Sequence, residues 1–189
     1  MANKVSLFTA SNFITGLRIA MAPFLYISLM NDAWIVSFLL CFLGGVTDFL
    51  DGAIARHFKQ TSFFGEIFDP VADKVMVTFI YVAFYQKGII PAIAFFTILG
   101  RDIFLILGSL LVLKTKRNIP LSPLILSKIN TFFQFFLCAW IVCINAYQQI
   151  HPLSDIFNIF TDTIIYGTLV LTVLSGLQYA KRFILFFKK

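Results

Sequence analysis

The sequence predicts an all-α integral membrane protein, a bundle of six transmembrane helices with both termini on the cytoplasmic side. Three observations predict it. Of 189 residues, 59% are apolar and 13% charged, against roughly 45–50% and 25% in soluble domains. Long apolar runs recur six times between short polar breaks, and the basic residues divide by side. A helical span needs about 20 apolar residues, so this length holds six spans, and 1–189 reads as a single membrane domain. The composition excludes a soluble enzyme, a disordered chain and a disulfide-stapled secreted module: Phe occurs 24 times, and Cys41, Cys138 and Cys143 all sit in apolar runs.

The first span, 11–31, follows a polar start (Met1 to Lys4), carries Arg18 and shows no small-residue cleavage site, so it reads as a true helix rather than a signal peptide. Asn31-Asp32 ends it. The second, 33–50, begins at Trp34, a residue suited to the membrane interface, and runs through Gly44-Gly45, read either as a close-packing or dimer seam or as a softened helix. The break from Arg56 to Glu66 leads into the third, 68–86, which Lys87-Gly88 ends. The fourth, 89–113, carries Arg101-Asp102 and ends in Lys114 to Pro123. The fifth, 124–147, carries Lys128, Asn130 and Gln134; His151 to Asp155 separate it from the sixth, 157–180, which Lys181-Arg182 anchor.

On a six-span path, Lys4, Arg56, Lys59, Lys114, Lys116, Arg117, Lys181, Arg182, Lys188 and Lys189 fall on one side, and Lys87 alone falls in a loop on the other. That asymmetry places both termini and the 2–3 and 4–5 loops in the cytoplasm. The net charge of +6 could signal nucleic acid. These charges flank apolar helices in short turns and form no recognition helix, so attraction to anionic lipid headgroups is expected and no nucleic-acid partner.

Of nine acidic residues, five (Asp48, Asp51, Glu66, Asp69 and Asp73) lie within 26 positions at the end of the second span and the start of the third. Asp48 and Asp51 are three apart, Asp69 and Asp73 four apart, so each pair shares one helix face. Carboxylates in an apolar bundle cost several kcal/mol per ion unless compensated, about, and Lys74 and Arg56 are too few to compensate them. Divalent cations such as Mg²⁺ or Mn²⁺ solve the problem, because hard ions take carboxylate oxygens together with substrate phosphates, and four carboxylates suit two ions. The alternative is structural, a salt-bridge or capping cluster with Asp69 capping a helix whose first turn holds Pro70. Capping explains one Asp and leaves three.

The spacing is Asp48-x2-Asp51-Gly52-x2-Ala55-Arg56-x8-Gly65-x3-Asp69-x3-Asp73. Gly52 and Ala55 clear side chains from the surface beside the carboxylates, Gly65 does so where the chain turns into the third helix, and Arg56 offers a planar fork of donors to a phosphate. A pattern of eight fixed positions arises by chance in a chain of this length on the order of once in a hundred million, from average residue usage. It resembles the signature of the CDP-alcohol phosphatidyltransferase family (class I), and every position is present.

The resemblance implies transfer of a phosphatidyl group from CDP-diacylglycerol to an alcohol with release of CMP, by a homodimer using two divalent metals at the cytoplasmic face of a multi-pass cell (inner) membrane protein. It implies that Asp48, Asp51, Asp69 and Asp73 hold the metals, that Asp73 is also the general base, and that Asp51, Gly52, Arg56 and Gly65 line the CDP-lipid pocket. Spacing alone does not separate ligand from base at Asp73.

An anionic acceptor would explain two further residues at membrane depth, Arg101 and Lys128. Arg101 beside Asp102 could be a self-neutralising pair, although adjacent helical residues do not face each other, so Arg101 is expected to point at something else. Asn12-Phe13-Ile14-Thr15-x2-Arg18 and Ser175-Gly176-x2-Tyr179 resemble the phosphatidylglycerophosphate synthase branch of the family. Gly100-Arg101-Asp102 and Ser127-Lys128-Ile129-Asn130-Thr131-x2-Gln134 are similar to its cardiolipin synthases. The expected acceptor is therefore glycerol 3-phosphate or phosphatidylglycerol, with inositol phosphate as an alternative. Membrane prenyltransferases also place Asp-rich helices around a diphosphate, but without the Gly52, Ala55-Arg56 and Gly65 spacing. A divalent cation transporter would set carboxylates near mid-membrane in several helices, whereas here they crowd one end.

Overall fold

The computed structural model describes residues 10–58, 63–114, 124–151 and 155–187, with side chains over 16–47, 74–108, 124–151 and 155–184. Six helices fill them: α1 (Ala10–Met30), α2 (Trp34–Phe58), α3 (Phe63–Gln86), α4 (Ala92–Lys114), α5 (Ile125–Gln148) and α6 (Ile156–Phe187). No strand occurs among the described residues. All six expected elements are present; α4 starts at Ala92 rather than 89, after Pro91, and the ends that differ most lie beside charged residues. Helix α2 continues to Phe58 rather than stopping near 50, α3 starts at Phe63 rather than 68, and α6 continues to Phe187. Charged residues end a hydrophobic run without ending a helix, because Asp, Lys and Arg cost at most about 0.7 kcal/mol of propensity and Gly52 about 1.

Two compact units divide the chain: Met1–Lys87 with Val142–Pro152, and Gly88–Ile141 with Leu153–Lys189. In the first, α1 packs on both α2 and α3. Its buried positions Arg18, Ala22, Leu25 and Leu29 recur at helical spacing, as do Val77, Ile80, Tyr81 and Phe84 on α3. Pro23 lies inside α1, on its exposed side. A Cβ at Gly44 would stand 2.6 Å from the Met76 methyl, the end of a flexible side chain of α3, whereas one at Gly45 would meet nothing within 4 Å. Ser28 and Ser37 are buried with their hydroxyls 2.8 Å apart, one donating to the other and the other to a carbonyl of its own helix, Leu25 for Ser28 or Ala33 for Ser37.

One end of this unit is closed by a polar clasp. Asp32 turns the chain between α1 and α2 with φ 58°, a left-handed conformation that Asp and Asn tolerate. Lys87 pairs with its carboxylate at 2.7 Å and lies 5.7 Å from the Trp34 ring centre. Gln149, just past α5, donates to the Asp32 carbonyl and accepts from the Ile35 amide at 3.3 Å. Tyr26 donates to Gln86 at 2.5 Å. The Lys87 hydrogen bond holds the Asp32 carboxyl below its ordinary value of 3.8. A depressed folded-state pKa adds stability that is present above the unfolded value and lost as pH falls through the folded one. Asp32→Asn, which keeps the backbone tolerance and removes the charge, is therefore expected to lower the thermal midpoint in detergent at pH 7, with the gap from wild type closing below about pH 4.

In the second unit α4 packs on α6, and at Gly108 a Cβ would run into the Phe183 ring. Gly108→Ala is expected to cost about 1–3 kcal/mol as overpacking against a rigid ring. Gly44→Ala displaces the end of a flexible Met side chain and should cost less. Chemical unfolding of the two variants checks the order.

Large apolar side chains lie on the surface as well as in the core. Phe24, Ile93, Phe132 and Ile159 are each about two-thirds exposed, and the mainly apolar buried set also contains Arg18, Ser37, Arg101, Asn130, Gln134, Thr168, Thr172 and Ser175. Among the described residues, α5 over Ile125–Gln148 and α6 over Ile156–Ile184 have the length and apolarity to cross a bilayer.

Candidate functional site

The extended α2 and early α3 put the whole eight-position motif on helix. Asp48, Asp51, Gly52, Ala55 and Arg56 lie in the last three turns of α2; Gly65, Asp69 and Asp73 lie in the first three of α3. Within each pair one turn separates the aspartates, and the ends Phe58 and Phe63 are joined by four residues, which limits their separation to about 18 Å. The side chains of Asp48, Asp51, Gly52, Arg56, Gly65, Asp69 and Asp73 lie outside the described residues. Two expectations change. Gly65 is the third residue of α3 rather than a turn into it, and Asp69-Pro70 sits one to two turns inside α3, so Asp69 does not cap that helix.

As a donor set the four aspartates are hard oxygen ligands, the chemistry that Mg²⁺ and Mn²⁺ take. Among the side chains that are described, no group of three or more His, Cys, Asp or Glu could hold a metal.

The second cluster is in α4, α5 and α6. Arg101 is 7% exposed, and its guanidinium joins three helices: Nη1 donates to Asp102 at 2.8 Å, and Nη2 donates to Ser127 of α5 at 2.5 Å and to Ser175 of α6 at 3.1 Å. Arg101 does both things weighed for it: it pairs with Asp102 and reaches partners beyond it. Neighbouring Cβ atoms diverge on a helix, but the Arg stem is long enough to bend back, and burial makes an uncompensated guanidinium costly. Lys128 follows Ser127 by one residue, about 100° around α5, and is exposed where Ser127 is buried. The two basic residues expected to share an acceptor therefore occupy different faces.

Arg101 was visible in the sequence, and its hydroxyl partners were not. Ser127, Asn130 and Gln134 on α5 are spaced three then four, while Thr168, Thr172 and Ser175 on α6 are spaced four then three, and all six are buried. That mirrored spacing is the signal of two antiparallel helices facing each other with polar residues. Thr172 donates to Asn130 at 2.9 Å, Tyr179 accepts from the Leu124 amide at 3.5 Å, and Trp140 donates to Thr161 at 3.0 Å.

Residues 8–174 match the family model described as CDP-alcohol phosphatidyltransferase. The chain is 29% identical over 181 residues, 94% of its own length and 98% of the relative's, to the CDP-diacylglycerol--glycerol-3-phosphate 3-phosphatidyltransferase of Aquifex aeolicus. It is 31% identical over 175 residues to the protein of the same name in Rickettsia bellii, covering 90% and 92%. Over 147 residues it is 33% identical to the cardiolipin synthase (CMP-forming) of Rattus norvegicus, covering 69% of this chain and 49% of that protein. With a model matching most of its length and the signature intact on α2 and α3, the chain belongs to the CDP-alcohol phosphatidyltransferase family.

Proposed function

We propose that this protein moves a phosphatidyl group from CDP-diacylglycerol to a glycerol-type alcohol, glycerol 3-phosphate or phosphatidylglycerol, and releases CMP. The observation that carries the reading is the complete Asp48 to Asp73 signature, on consecutive helices of a chain that the family model matches over 8–174. The relatives covered over nearly their whole length are named for glycerol 3-phosphate, which favours that acceptor.

The protein acts as a single membrane domain over 1–189, with six transmembrane helices, both termini and the active site on the cytoplasmic side of the cell (inner) membrane, and it works as a homodimer. The exposed apolar surface supports immersion in lipid: many large apolar side chains of α1, α2, α4, α5 and α6 are exposed, where a water-facing bundle would carry charge. The ten-to-one distribution of loop and terminal basic residues supports the orientation.

Asp48, Asp51, Asp69 and Asp73 would hold two Mg²⁺ or Mn²⁺ ions, and Asp51, Gly52, Arg56 and Gly65 would bind the CDP-lipid. When bound, the ions neutralise charge on the diphosphate and stabilise CMP as a leaving group. Asp73 accepts the proton of the acceptor hydroxyl as its oxygen bonds to the lipid-bearing phosphorus and the bond to CMP breaks. Gly52 lets the nucleotide approach the α2 backbone, and Arg56 gives a bidentate contact to a phosphate. Arg101 and Lys128 bind the acceptor. Arg101, already paired with Asp102, brings hydrogen-bond direction more than net charge.

The test supplies CDP-diacylglycerol with either acceptor to purified protein and identifies the lipid product. Phosphatidylglycerophosphate from glycerol 3-phosphate is the expected outcome, and cardiolipin from phosphatidylglycerol would reassign the acceptor within the same chemistry. A product with inositol phosphate and neither glycerol acceptor would overturn it.

A further inference from the structure

Helix α1 packs on α2 and α3 inside one compact unit, and contacts near its Met30 end fix how far along each neighbour an α1 residue lies. The Ser28 and Ser37 hydroxyls are 2.8 Å apart, on either side of the Asp32 turn. Ten residues back from Ser28 is Arg18, and ten on from Ser37 is Thr47, one residue before Asp48. Helix α3 runs parallel to α1: the Tyr26 and Phe79 ring centres are 6.0 Å apart, the Tyr26 hydroxyl reaches Gln86, and Lys87 reaches the Met30 carbonyl. Those offsets of 53 to 60 residues put Arg18 level with positions 71–78 of α3, a stretch that holds Asp73.

Arg18 is 3% exposed, on the buried face of α1 with Ala22, Leu25 and Leu29. Helical side chains lean toward their own N-terminus, which on α1 is away from the Asp32 turn. The Arg18 stem therefore leans toward the levels of Asp48 and Asp51 on α2 and of Asp69 and Asp73 on α3. A guanidinium taken out of water needs compensating negative charge. Among the described side chains of this unit the one carboxylate is Asp32, which lies at the opposite end with Lys87. The carboxylates level with Arg18 are those of the motif, for which Lys74 and Arg56 are too few.

We infer that Arg18 is the standing counter-cation of the aspartate site, a positioning residue that compensates the four carboxylates when no metal ion is present and opposes the ions when they bind. This rests on the metal-binding reading of the motif and deepens it. Two divalent ions already match four carboxylates, so a further fixed positive charge in the same low-dielectric region lowers the energy of the empty site and raises that of the loaded one. Arg suits the task because it keeps its proton when buried, where Lys readily loses one. The empty site stays assembled, and the ions are held less tightly than four uncompensated carboxylates would hold them.

The experiment titrates Mn²⁺ calorimetrically into purified wild type, Arg18→Gln and Arg18→Lys, and measures thermal midpoints in EDTA. Arg18→Gln is expected to bind Mn²⁺ about tenfold more tightly than wild type, while its midpoint in EDTA falls by about 5 °C. Arg18→Lys, which keeps the charge, should stay within about twofold of wild type in affinity. A residue that only packs would leave affinity unchanged or weaken it, so Mn²⁺ binding to Arg18→Gln no tighter than to wild type overturns the inference. Adding Asp48→Asn to Arg18→Gln removes one charge of each sign and should recover part of the EDTA midpoint, or recover folding where Arg18→Gln alone does not fold. A double variant no more stable than the single one also overturns the inference. If wild type binds no Mn²⁺, the metal reading of the motif fails separately, and the EDTA series then decides Arg18: recovery by Asp48→Asn supports its pairing with the aspartates, and no recovery removes it.

Discussion

Asp73→Asn is expected to lower CMP release about a thousandfold while Mn²⁺ and CDP-diacylglycerol remain bound. Asn keeps the size and the hydrogen-bonding reach of Asp but cannot accept the proton of the attacking alcohol, and loss of a general base typically costs 10²–10⁴-fold, roughly. Three carboxylates, Asp48, Asp51 and Asp69, stay to hold metal. Titration of Mn²⁺ alongside turnover separates the roles. Retained binding with lost turnover assigns Asp73 as base, and lost binding makes it a ligand first. Asp51→Asn provides the contrast, because its position in both the metal and the nucleotide sets predicts that binding and turnover fall together.

Arg101→Ala is expected to have the largest effect on stability. The side chain ties α4 to α5 and α6 through Ser127 and Ser175 and neutralises Asp102, whose side chain is 12% exposed. Truncation takes from that carboxylate the guanidinium that neutralises it and unties the three helices, at up to about 3–5 kcal/mol, or a fall in thermal midpoint of about 10 °C for a chain of this size. Removing Asp102 as well should recover part of the loss, since the penalty belongs to the surviving charge. Arg101→Lys should not restore wild-type behaviour, because a single ammonium cannot reproduce the fork that reaches Asp102 and both hydroxyls at once. Thermal unfolding in detergent checks the series; an Arg101→Ala and Asp102→Ala double variant no more stable than Arg101→Ala would show that the ion pair is not the source.

Much of this was legible in the sequence. Helix α1 spans Ala10–Met30 where 11–31 was expected, because Asn31-Asp32 ends both the apolar run and the helix. Helix α2 overran its expected end by eight residues, because hydropathy reports where a lipid-facing surface stops, and Asp51 and Arg56 are compatible with helical backbone. The aspartate motif was legible as spacing, since its residue types are rare in an apolar chain. The Arg101 cluster was half legible. A buried Arg stands out, whereas Ser127, Thr172 and Ser175 are ordinary residues in membrane helices and gain meaning only when the three-four and four-three spacings are set antiparallel. Lys128 was grouped with Arg101 by depth along the chain, and one residue of helical rotation separates its face from Ser127.

The most direct test of phosphatidyl transfer is the stoichiometry of CMP release by the purified protein in Mg²⁺ or Mn²⁺, with CDP-diacylglycerol and glycerol 3-phosphate. One CMP per new phosphatidyl product, abolished by EDTA and restored by either ion, is the predicted result. CMP formed without an alcohol, or divalent-cation flux into proteoliposomes with no CMP formed, would contradict it.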